Sequence, residues 1–80
     1  MTVNKKAIEI ENRLREIRKE IMFKNSITRN ELKTLVRELD MIEDNLFNQL
    51  IKDIDFPYSS VKVCIEITKS NLLRKLTEII

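Results

Sequence analysis

The 80-residue chain has no glycine, no histidine and no tryptophan, with one proline and one cysteine. Each absence excludes some chemistry. Gly-rich loops that wrap phosphates need backbone without a Cβ, so a nucleotide-binding loop of that kind is excluded. Zero His with a single Cys removes the Cys/His ligand sets on which structural zinc sites are ordinarily built. Cys64 has no imidazole base for papain-like catalysis and no second thiol for an internal disulfide. Domains this small usually add a disulfide, a metal or a partner to their core. With the first two removed, the expected staple is another polypeptide.

What is present is apolar and charged material in near balance, 42% and 35%. That is too apolar for a disordered tail and too charged for a membrane span. The start, Met1-Thr2-Val3-Asn4-Lys5-Lys6, leads into charge and not into an apolar core, so no signal peptide is expected. A soluble cytoplasmic protein with a reduced thiol is the expectation, with no membrane partner. The net charge of +2 is small for a dedicated nucleic-acid binder. It is unevenly placed: residues 1–25 carry +3, residues 26–55 carry −3 and residues 56–80 carry +2.

Val3, Ala7, Ile10, Leu14, Ile17 and Ile21 recur at spacings of four and three, the rhythm of a coiled-coil seam. They predict a first helix over 4–23, supported by Glu9–Arg13 and Glu11–Arg15 pairs at i,i+4. Ile27-Thr28-Arg29-Asn30-Glu31-Leu32 is a complete helix start. Thr28 and Glu31 form a capping box, and Ile27 and Leu32 a hydrophobic staple. A second helix over 28–54 follows on Leu32, Leu35, Val36, Leu39, Ile42, Leu46, Leu50 and Ile54, with Phe47 and Ile51 widening the stripe. The short link between them predicts an antiparallel hairpin, with the basic helix lying on the acidic one.

Phe56-Pro57-Tyr58-Ser59-Ser60 ends that pattern. Val61, Val63, Ile65 and Ile67 then alternate with Lys62, Cys64, Glu66 and Thr68. Period two in β-branched residues predicts a strand over 61–68. Ser70 would cap a short helix over 70–80 bearing Leu72, Leu73, Leu76, Ile79 and Ile80. A lone strand cannot satisfy its own backbone. Met1-Thr2-Val3 is too short to be its mate, so a second copy is the expected partner strand, or else the sheet edge of another protein. The alternative is that 61–68 is helical or irregular within a bundle.

The candidate interface residues are therefore Val61, Val63, Ile65, Ile67, Leu72, Leu76 and Ile79. Arg13, Arg15, Arg18 and Lys19 form a basic run that could touch phosphates or pair with the second helix. Glu38, Asp40, Glu43 and Asp44 make an acidic cluster in the second helix. Asp40 and Asp44, at i,i+4, could hold a weak divalent ion, but a solvated face is the simpler reading. Lys62 could lower the pKa of Cys64 if both lie on one strand face. A helix-turn-helix with its turn at Asp40-Met41-Ile42 would put carboxylates against phosphates, so one continuous helix is preferred.

Two segments carry resemblances. Residues 13–47, with Val36-Arg37-Glu38-Leu39-Asp40, look like the small hairpin phosphatases of sporulation phosphorelays, whose second helix carries Ser-Gln-Glu-Leu-Asp; Val36 stands at the Ser position. Residues 28–61 are similar to small helical nucleoid-modulating proteins that bind a histone-like silencer. They share Asn30-Glu31-Leu32, Asp40 and Pro57…Ser59-Ser60-Val61, but that group's Trp and His are missing. Neither is adopted as a family.

The expectation is one α+β domain over 1–80, predominantly α: a long antiparallel helical hairpin, one β-strand and a short C-terminal helix, dimerising through the strand. Its expected function is a non-enzymatic interaction module, a homo-oligomeric regulator or a stoichiometric inhibitor or adaptor of a larger protein, of a kind common in phages and mobile elements. No catalytic residue, cofactor or metal is assigned. A small DNA-binding transcriptional regulator using the basic first helix is the alternative.

Overall fold

The computed structural model describes residues 4–24 and 26–79, with the side chain of residue 79 outside that description. The described residues form three helices: α1 (Lys5–Phe23), α2 (Arg29–Lys52) and α3 (Tyr58–Ile79). Among the described residues there is no strand, so the expected α+β architecture is overturned, and with it dimerisation through a strand.

The first two helices form close to where the periodicity places them, but α2 ends at Lys52, and Ile54, expected to close its apolar stripe, lies beyond the helix and is 88% exposed. The side chain of Asn4 caps α1 by accepting from the Ala7 amide at 3.0 Å. Ala7, Ile10, Leu14, Ile17 and Ile21 are buried, and Val3 lies outside the described residues. At α2 the capping box closes in both directions. Glu31 N–H donates to Thr28 Oγ1 at 3.1 Å, and the Thr28 amide donates to Glu31 Oε1 at 3.4 Å. Ile27 and Leu32, the staple pair, are both buried. A chain without glycine has no cheap left-handed residue for ending a helix. Both helices leave instead through extended backbone, at Lys24 (φ −81°, ψ 116°) and Asp53 (φ −143°, ψ 103°). Asp53 then makes the next bend, its Oδ1 accepting from the Asp55 amide at 3.0 Å. Met1-Thr2-Val3, the short rival strand, also lies outside the described residues.

The third segment is one continuous helix across both the predicted strand and the predicted terminal helix. Its inner seam is Val61, Ile65, Thr68 and Leu72, all buried, at spacings of four, three and four. Alternation at period two also fits a helix when each alternate set splits between two sides. Val61 and Ile65 turn inward, whereas Val63 and Ile67 turn to solvent. A helix also satisfies its backbone within itself, which an unpaired strand cannot do. Ser70, expected as a cap, sits exposed in mid-helix. Thr68 completes the seam because its hydroxyl is paired: Oγ1 donates to the Cys64 carbonyl at 2.8 Å and accepts from Arg18 Nη1 at 2.9 Å.

α3 packs closely on both α1 and α2, while those two approach each other less closely. α1 and α2 are antiparallel, as Asn4–Asp53, Arg13–Glu38 and Lys24–Glu31 contacts along their length show. The core joins all three helices through Leu14, Ile17, Leu39, Leu46, Ile65 and Leu72. The Cα envelope measures 42 × 21 × 15 Å, so each helix keeps a broad face to solvent.

Candidate interaction surface

Three ion pairs join one helix to another: Arg13–Glu38, Lys24–Glu31 and Lys69–Glu43. Arg13 donates from Nε and Nη2 to both Glu38 oxygens, the Nη2 bond being 2.7 Å, and also reaches Glu16 at 3.3 Å. This fork-on-carboxylate geometry fixes the α1–α2 register. The hydrogen bond to Arg13 holds the Glu38 carboxyl below the usual carboxylate range, and Glu38 raises the Arg13 guanidinium above its ordinary value. Lys69 donates to Glu43 at 2.6 Å and ties α3 to α2. That bond lowers the pKa of Glu43 and raises that of Lys69. Lys24 pairs with Glu31 in the same sense. The expected Glu9–Arg13 and Glu11–Arg15 pairs are not among the ion pairs of the described residues. Lys6 takes Glu9 at 3.9 Å, and Arg13 turns to Glu38 and Glu16.

The predicted interface residues divide. Val61, Ile65 and Leu72 are core, Leu76 is half-buried, and Val63 and Ile67 are exposed. The side chain of Ile79 lies outside the described residues. One strand face therefore does not gather them. In the charged set, Arg13 is taken by Glu38, Glu43 by Lys69 and Arg18 by Thr68. Arg15, Lys19, Asp40 and Asp44 are exposed, with no ion pair among the described residues. Lys62 and Cys64 no longer share a face, because residues two apart on a helix point to roughly opposite sides. Lys62 Nζ instead lies 5.9 Å from the Tyr58 ring centroid, within cation–π range. Among the described residues no three His, Cys, Asp or Glu side chains gather to hold a metal ion. No described helix is long and apolar enough to cross a membrane.

The surface that the helical geometry assembles is the α2–α3 groove. A concavity of about 540 Å³ has Val36, Leu73 and Leu76 as its apolar floor and Arg29, Lys33 and Arg37 as its rim. A neighbouring concavity of about 280 Å³ shares that floor and continues past Leu39 to Asp40 and Lys69. Leu73, part of that apolar floor, is 64% exposed. Toward the other end of α2, Phe47 and Ile51 are also open to solvent, at 61% and 68%. The basic rim was hidden in the sequence by averaging. Residues 26–55 sum to −3, yet residues 29–37 carry +2 and residues 38–55 carry −5. Spacing of four between Arg29, Lys33 and Arg37 was the available signal.

Compared with protein-family models, curated proteins and solved structures, the chain matches none.

Proposed function

We propose that the protein is a non-enzymatic interaction module that acts stoichiometrically, as a regulator, inhibitor or adaptor of a larger protein. The supporting observation is the apolar surface that folding leaves open: the Val36–Leu73–Leu76 groove, with Phe47 and Ile51 on the same helix. Contiguous exposed apolar surface rimmed by charge is characteristic of protein-binding sites. Affinity capture from the producing cells, with the complex sized, tests it. The expected result is a defined protein partner retained by the wild type and lost by a folded Leu73→Asp variant. Recovery of nucleic acid alone, or equal recovery by both forms, overturns it.

A second reading, a DNA-binding regulator, draws on Arg15 and Lys19, which are exposed on α1 with no ion pair among the described residues. Phosphate contacts release counterions, so that reading requires binding that weakens steeply with salt. A gel shift showing no binding at low salt removes it.

A further inference from the structure

α2 carries a second seam on its outer side. Arg29, Lys33, Arg37, Asp40, Asp44, Phe47 and Ile51 follow at spacings of four, four, three, four, three and four, and all are exposed. The charged members make no ion pair among the described residues. The stripe is basic in its first half, acidic in the middle and apolar at its end. A parallel copy would set cation against cation and carboxylate against carboxylate. An antiparallel copy does the reverse. With a two-fold axis midway between Glu38 and Leu39, Arg37 lies opposite Asp40 of the copy and Lys33 opposite Asp44. Symmetry repeats both pairs, giving four. The same register brings Phe47 alongside Asn30 and Arg29 of the copy, where ring and guanidinium can stack.

We propose that a second copy of this chain docks antiparallel along this outer face of α2, in a two-fold dimer with Leu73 of each copy beside the axis. The proposal rests on the interaction-module reading and names its first partner as the chain itself. Charge complementarity fixes the orientation of the pair, and the adjoining apolar groove, floored by Val36 and Leu73, supplies area to bury. Because the pairs lie in an exposed seam, salt screens them and weakens the dimer.

Sedimentation velocity of the full chain tests this with two charge-reversed variants, Lys33→Glu/Arg37→Glu and Asp40→Lys/Asp44→Lys. All four positions are exposed, and far-UV circular dichroism checks the helices. The wild type is expected to sediment as a dimer that loosens with salt. Each variant alone is expected to be a monomer, and their equimolar mixture a dimer, since reversal on both sides restores all four pairs. A monomeric wild type overturns the proposal, as does a mixture no more associated than its components. A monomeric wild type that still captures a larger protein through Leu73 would overturn self-pairing alone. Failure of that capture strikes the interaction-module reading instead.

Discussion

Alanine substitutions at Ile65 and Ile67 separate a helical third segment from a strand. On a strand these residues share a face and are equally valuable. On α3, Ile65 is fully buried in the core and Ile67 is 51% exposed. Ile65→Ala removes buried methyl groups and leaves a cavity, at a cost of about 2–5 kcal/mol. A domain of this size has a total stability of only about 4–12 kcal/mol, so the loss is a large part of the whole. Should Ile65→Ala fail to fold, Ile65→Val grades the same site at about 0.5–1.5 kcal/mol. Ile67→Ala gives up only partial burial, and alanine returns a few tenths of a kcal/mol of helix propensity, so its net effect stays within about 0.5 kcal/mol. Urea unfolding followed by far-UV circular dichroism at one protein concentration measures all three. Equal costs at 65 and 67 would refute the assignment of inner and outer faces.

Other expectations follow from individual contacts. Thr68→Val keeps the volume but strips the buried hydroxyl from Arg18 and the Cys64 carbonyl. It should cost about 1–2 kcal/mol in urea unfolding, and a neutral or stabilising result would mean those bonds contribute nothing. Thr28→Ala opens the capping box and should cost about 1 kcal/mol; an unchanged midpoint would contradict it. Glu31, Glu38 and Glu43 have folded-state pKa values held below the unfolded one by cationic partners. Their contribution is therefore present above pH ~4.3 and is lost as pH falls through the folded values. Glu38→Gln should cost about 0.5 kcal/mol near neutrality, the pair being partly solvated, and should flatten the acid limb of a Tm–pH profile. An acid limb identical to wild type would rule out a part for Glu38.

α1 and α2 were legible in the sequence because long three-and-four spacings and a complete capping box point the same way. α3 departs from the strand that its sequence predicts for a specific reason. Its seam passes through Thr68, a polar residue, so the apolar rhythm from Val61 to Leu72 looked broken where the helix continues. The hydroxyl behaves as core only because Cys64 and Arg18 satisfy it, and Arg18 is 50 residues away in sequence. Four β-branched residues at alternate positions supplied the competing signal, and tertiary packing overrode it. The candidate surface was half legible. Its acidic members, Asp40 and Asp44, stand out as a cluster, but their basic complement at Lys33 and Arg37 lies inside a segment whose net charge is negative.

Amide chemical shifts recorded over a dilution series test the central claim, association through the outer face of α2, most directly. Shifts that move with concentration are expected to cluster at Lys33, Arg37, Asp40, Asp44 and Leu73, with Val63 and Ile67 unmoved. Spectra independent of concentration, or changes centred on Val63 and Ile67, would contradict it.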